Sequence, residues 1–124
     1  MIKWINEKNK EGAASLYETN VTLNAVAALP FETVEYVRFG VNEFGDLLIA
    51  PVSNEEYGRG VIDKSTCYKA VSHKSYARIS STGLMRSIAE ECKLQLSSKP
   101  LQFPCVWNEK ENYLEIKIGG NVNA

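Results

Sequence analysis

The sequence predicts an α+β fold, mostly β, built from two strand–helix–β-hairpin units. Three observations carry this expectation. Segments in which apolar and polar residues alternate recur along the 124 residues, as in TVEYVRFGV at 33–41 and YLEIKI at 113–118. Two such segments pass through a small polar residue directly into a helix, once in SLYETNVTLNAVAAL at 15–29 and again in KSYARISSTGLMRSIAEECKL at 74–94. Two hairpin turns open on the same pair, Asn42-Glu43 and Asn108-Glu109.

Taken in order, MIKWIN at 1–6 alternates and reads as a short strand, and EKNKEG at 7–12 reads as a charged turn. SLYETNVTL at 15–23 sets Leu16, Val21 and Leu23 among polar residues and reads as one strand. Asn24 is placed to cap a short helix over AVAALPF, which Pro30 ends. Residues 33–41 and LLIAPV at 47–52 form a hairpin whose turn, NEFGD, places Gly45 where a positive φ is needed. SNEEYGRG at 53–60, polar with two glycines, reads as a linker. STCYKAVSH at 65–73 is expected as a strand, as is the stretch from Lys74 to Ile79. Ser80 or Ser81 then caps a helix running to about Lys93, with Leu84, Ile88 and Cys92 at near-helical spacing. LQFPCVW at 101–107 is a strand in which Pro104 signals an edge or a bulge. NEKEN turns the chain, YLEIKI returns as a strand, and GGNVNA is a polar tail.

The two halves align. VTLNAVAAL lies on ARISSTGLM at an offset of 56, and GVNEFGDLLIAPV lies on VWNEKENYLEIKI at an offset of 66. The expected organisation is a first copy over 1–52, a linker over 53–63, a second copy over 64–118 and a flexible tail over 119–124. Each unit is too small to bury its own apolar face, so two copies that interlock would share one core. VTLNAVAALPFETVEYVRFGVNEFGDLLIAPV at 21–52 carries an apolar strand end, a short helix, a hairpin with a glycine turn and a strand ending at a proline. In that order it resembles the swapped-hairpin DNA-binding domain of the AbrB, SpoVT and MraZ proteins, and residues 77–118 carry the order more loosely. The Gly-Arg pair and the proline common at the strand end in that family are replaced here by ETNVTLN and YARISST, with Arg78 as the one matching arginine. The resemblance implies a swapped-hairpin-like, pseudo-dimeric barrel within one chain. It also implies a transcriptional regulator of bacterial or phage type that presents its strand–loop region and helix edges to DNA.

Charge points the same way. The net charge is −1, yet residues 1–62 hold five basic and nine acidic side chains, and residues 63–124 hold nine basic and six acidic. From Lys64 to Arg86 there are five cations and no acid, with Tyr68, His73 and Tyr76 interleaved. Lys69, Lys74, Arg78 and Arg86 are the expected DNA-binding residues, contacting phosphates, with Arg78 or Arg86 reaching a base edge. The first copy lacks matching charge, so this surface is lopsided. The alternative is a non-catalytic protein–protein interaction or inhibitor module on the same fold. Its partner would add a strand at an edge near LQFPCVW, with Tyr17, Tyr36, Tyr57 and Tyr68 as candidate anchors.

Other classes have less in the sequence. There is no Gly-rich phosphate loop, no HExxH and no GxSxG, and the adjacent Glu90 and Glu91 point about 100° apart on a helix, so no enzyme is expected. Three cysteines without CxxC spacing (Cys67, Cys92, Cys105) and a single His73 signal neither a disulfide framework nor a zinc site, and no cofactor or metal is expected. No apolar run approaches the roughly 20 residues that span a bilayer, and the first ten residues lack the apolar stretch of a signal peptide. A cytoplasmic protein is expected, with double-stranded DNA, a protein partner or a second copy of the chain as its partners.

Overall fold

A computed structural model describes residues 1–2 and 11–119. The described residues form nine strands: β1 (Gly12–Leu16), β2 (Asn20–Asn24), β3 (Tyr36–Val41), β4 (Leu47–Val52), β5 (Cys67–Lys69), β6 (Val71–Ser72), β7 (Tyr76–Ser80), β8 (Leu101–Asn108) and β9 (Tyr113–Ile116). Three α-helices accompany them: α1 (Ala25–Ala28), α2 (Asn54–Arg59) and α3 (Thr82–Cys92). The strand expected at 1–6, most of the charged turn at 7–12 and the tail from 120 onward lie outside the described residues.

The strands make one sheet in the order β5-β3-β4-β9-β8-β1-β2-β7-β6, and every neighbouring pair is antiparallel. The two end strands, β5 and β6, are separated in sequence by Ala70 alone. The sheet therefore curls into a nearly closed barrel, with residues 67–72 as its seam. At the seam the Ala70 amide donates to the Glu35 carbonyl at 2.8 Å. A fold that is mostly β is thus what the alternation predicts.

The core follows from the period of two. Leu16, Val21, Leu23, Val37, Ile49, Ala77, Ile79, Leu114 and Ile116 are all buried inside the barrel, and the residues between them face out. Each buried aliphatic side chain contributes about 1.5–3 kcal/mol. α3 adds Leu84, Met85, Ile88 and Cys92 to the same cluster, and α1 adds Ala27 and Ala28. Phe31, in the 3-10 turn after α1, meets Trp107 edge-on at 6.1 Å.

Several expectations are corrected. Residues 15–23 are not one strand: the chain reverses after Leu16, where the Tyr17 amide donates to the Asn20 carbonyl, and β1 pairs back on β2. The stretch 53–60 contains α2, started by a capping box in which Ser53 and Glu56 each accept from the other's backbone amide. Residues 65–73 do not run as one strand but as a 3-10 turn (Lys64–Thr66), then β5 and β6. β8 is an inner strand of the sheet with staggered neighbours: β1 pairs with its residues 101–105 and β9 with its residues 105–108. Pro104 is tolerated because its missing amide falls where pairing with β9 has stopped, and its carbonyl still accepts from Lys117. Among the described residues, residues 106–108 have no strand paired on the side that β1 covers over residues 101–105.

The helix starts keep to their capping chemistry. Asn24 Oδ1 accepts from the Ala27 amide at 3.0 Å, and Ser81 Oγ, rather than Ser80, accepts from the Leu84 amide at 3.1 Å. Gly45 takes φ 82° in the β3–β4 turn, where Asn42 Oδ1 accepts from the amides of Phe44 and Asp46. Asn108 Oδ1 opens the β8–β9 turn in the same manner, accepting from Glu111.

Candidate nucleic-acid interface

The basic stretch singled out from sequence maps largely onto the seam. At the seam Ala70 is buried, while Lys69, Val71 and His73 are exposed. On β7 the residues Tyr76, Arg78 and Ser80 share that outer face, with Val71 directly opposite Arg78. Lys69, Val71, His73, Arg78 and Ser80 accordingly line one open concavity of about 350 Å³. Among the described residues no carboxylate lines it.

The neighbouring side chains are aromatic. On the far side of the seam, Tyr36 of β3 lies directly opposite Lys69. Its ring stacks on Tyr57 of α2, centroids 3.9 Å apart and 6° from parallel, and the Lys64 ammonium sits 4.9 Å from the Tyr57 centroid. The Tyr36 phenol is raised above its ordinary value, chiefly by its hydrogen bond with Tyr57. On β7 a second stack forms. The His73 ring lies 4.4 Å from that of Tyr76, and the Arg78 guanidinium sits 5.3 Å from the Tyr76 centroid. The His73 amide donates to the Tyr76 carbonyl at 2.7 Å, which closes the tight turn carrying Lys74. The outer face thus reads, across three strand positions, as aromatic pair, lysine, arginine, aromatic pair.

The four expected DNA-binding residues divide. Lys69 and Arg78 meet in the concavity. Lys74 is exposed in the turn beside it and lines neither this concavity nor the next. Arg86, exposed on α3, lines a different concavity of about 370 Å³ with Glu18, Thr19, Thr82, Met85, Ala89 and Leu96. Among the described residues none of the four forms an ion pair; the recorded pairs are Arg59 with Glu55, and Lys117 with Asp46 and Glu115. Sequence reasoning missed Tyr36, Tyr57 and Lys64 as members of this surface. The capping box at Ser53 was the available signal, because it makes the helix that carries Tyr57 over β3.

The cysteines lie apart from this chemistry. Burial pushes the Cys105 thiol up to about 12 and raises that of Cys92, so neither is a ready nucleophile. Among the described residues no three His, Cys, Asp or Glu side chains gather as a metal site would require, and no helix is long and apolar enough to cross a membrane. Compared with known proteins, the chain matches no family model, no curated protein and no solved structure.

Proposed function

We propose that the protein binds DNA through the outer face of the seam and acts without catalysis, as a regulator of bacterial or phage type. The observation that carries this reading is the convergence of Lys69 and Arg78 on one carboxylate-free concavity, with Lys74 at its margin. Cations that form no ion pair among the described residues can neutralise phosphates without first breaking pairs of their own. Arg86, beside Glu18, belongs to a separate and electrostatically mixed surface and is a secondary contact in this reading.

We further propose that the barrel is two interlocked strand–helix–hairpin copies, related as in a swapped-hairpin pseudo-dimer. The pairings support it. β2 of one copy pairs with β7 of the other, the hairpin β3–β4 pairs with the hairpin β8–β9 through β4 and β9, and the seam stands where β1 stands in the other half. Exchange of the two halves leaves the order of strands around the ring unchanged.

The test is fluorescence anisotropy with a mixed-sequence DNA duplex. Three phosphate contacts predict a fall in affinity of roughly 40-fold between 50 and 200 mM salt. Lys69→Ala and Arg78→Ala should each weaken binding and flatten that salt slope, while Lys99→Ala should change neither. An affinity indifferent to salt, or equal in all three variants, would overturn the proposal. A protein-partner reading has one favouring observation: Phe44, 72% exposed at the β3–β4 turn, and Val41 line a concavity of about 430 Å³ against the end of α3.

A further inference from the structure

We infer that the seam face takes its DNA as a single strand, with unpaired bases extending the two aromatic stacks and the phosphate chain passing over Lys69 and Arg78. This rests on the DNA-binding reading above and specifies the form of the ligand.

The argument begins with what a duplex would leave unused. In a duplex the base faces are buried against one another, and only edges and phosphates are presented. Cations alone would serve such a ligand. The seam instead carries Tyr36 on Tyr57 and His73 on Tyr76, two parallel stacks set on either side of Lys69 and Val71. Aromatic rings beside an unpaired basic groove are the arrangement that holds single strands, because every base has a face to stack and none need be read by its edge.

The geometry of the stacks supports extension. Tyr57 is covered on its ring by Lys64, and Tyr76 by Arg78, so in each stack the cation caps one member. His73 is exposed, and among the described residues its ring stacks with Tyr76 alone. A base placed on His73 would continue a stack that is already ordered, so little freedom is lost on binding. Tyr36 on β3 and Tyr76 on β7 are separated by two strand spacings across the sheet, about 10 Å, and by the four residue steps from Lys69 to His73 along the seam, about 13 Å, so by about 16 Å on the diagonal. That distance is covered by about five nucleotides at the stacked rise of 3.4 Å. Lys69 lies between, directly opposite Tyr36 and in the same concavity as Arg78, where the intervening phosphates would pass.

A duplex reader built on this fold would be organised differently. The major groove admits a helix or a two-stranded ribbon. Of the helix cations, Arg86 of α3 lines a surface that also holds Glu18 and Arg59 of α2 is paired with Glu55, while the basic residues that converge do so on a three-strand-wide sheet instead.

The experiment uses the full chain and three fluorescent probes of one length: a mixed-sequence 12-mer DNA strand, the same strand annealed to its complement, and an abasic strand with the phosphate chain alone. Anisotropy titrations at 50 mM salt should show the 12-mer strand bound at least tenfold more tightly than the duplex or the abasic strand. His73→Ala and Tyr36→Leu should each weaken the single strand about tenfold, as loss of one stacked base predicts, and leave the duplex within twofold. His73 is exposed in a turn, so that variant keeps the fold, and its circular dichroism should equal that of the unsubstituted chain. Duplex binding equal to or tighter than single-strand binding would overturn this inference and leave DNA binding standing. So would an abasic strand bound as well as the 12-mer. Failure of all three probes to bind would overturn both.

Discussion

Replacing Asn24 tests whether one side chain joins a helix start to the neighbouring strand. Its Oδ1 accepts from the Ala27 amide at 3.0 Å, which caps α1, and from the Ala13 amide at 3.1 Å, which lies in β1. Its Nδ2 donates to the Glu11 carbonyl at 2.9 Å, at the entrance of β1. The cap is worth about 1 kcal/mol. The part-buried bond to Ala13 adds about 1 kcal/mol, and the exposed one to Glu11 about 0.5 kcal/mol. Asn24→Ala should therefore cost about 2.5 kcal/mol. Ser81 makes the corresponding cap on α3 through the Leu84 amide, and among the described residues its hydroxyl makes that bond alone. Ser81→Ala should cost about 1 kcal/mol. Asn24→Ser keeps a cap and gives up the bonds to β1, so it should fall between the two. Urea unfolding followed by far-ultraviolet circular dichroism measures all three, and an unchanged slope with denaturant would show that the folded state retains its extent. At about 4 °C per kcal/mol for a chain of this size, the expected falls in Tm are about 10 °C for Asn24→Ala and about 4 °C for Ser81→Ala. Equal losses, within about 0.5 kcal/mol, would refute the reasoning, because the bonds to β1 would then contribute nothing.

Gly119→Ala should destabilise by about 1–3 kcal/mol in the same assay, since a Cβ there would lie 1.9 Å from the Phe44 carbonyl oxygen, and neither backbone can yield without breaking the bond from the Gly119 amide to Asp46. The Glu115 carboxyl is held below its ordinary value of 4.5, first by the hydrogen bond from Lys117 and then by that from Asn108. The unfolded chain therefore binds the proton more readily. The stability this group adds is fully present above about pH 4.5 and is lost as pH falls through its lowered value, so Glu115→Gln should give a shallower fall of Tm between about pH 5 and pH 2. Thr22→Arg would set a second guanidinium directly opposite Arg78 across β2–β7 and should lower stability by about 0.2–1 kcal/mol at low salt, with the loss shrinking at 1 M salt. An unchanged stability at low salt would show that the two side chains do not meet.

The elements that were legible in the sequence are those whose core contacts impose a clean period. β7 and β9 alternate because one face of each meets the barrel interior, and β3 alternates for the same reason over most of its length, whereas β4, apolar throughout as LLIAPV, was legible from the hairpin turn before it. The reversal between β1 and β2 was not legible, because Tyr17-Glu18-Thr19 contains neither glycine nor proline, and its one trace is a change of phase from Ala14 and Leu16 to Val21 and Leu23. Pro104 misled for a different reason: proline reports a missing donor, and whether that donor is needed depends on where the neighbouring strand β9 ends. For the site, Lys69 and Arg78 were legible as cations in an acid-free run, and their convergence follows from the antiparallel pairing of nearby strands. The Tyr36–Tyr57 stack was not, since it joins β3 to a helix 21 positions away through a contact that no local period records.

The lopsided charge that the sequence sets against a symmetric DNA reader looks different once the strands are paired. At the offset of 56, Thr22 in the first copy corresponds to Arg78 in the second, and the two are directly opposite each other in the β2–β7 ladder. A cation kept in both copies would place two like charges face to face about 5 Å apart, which an antiparallel pair does not favour. At this junction the proposed duplication therefore allows one arginine, not two. Thr22 meets the requirement with a short neutral side chain on the outer face, its hydroxyl donating along its own strand to Asn20 Oδ1 at 2.7 Å. The seam departs from its counterpart in the same direction. Where β1 runs unbroken with Ala13 and Ser15 outward, residues 67–72 are split at Ala70 and carry Lys69 and Val71 outward, with His73 next. On the proposed duplication, the cations gather on one side because the two copies meet along their own axis, and the single basic face would suit one strand of nucleic acid better than a palindromic duplex.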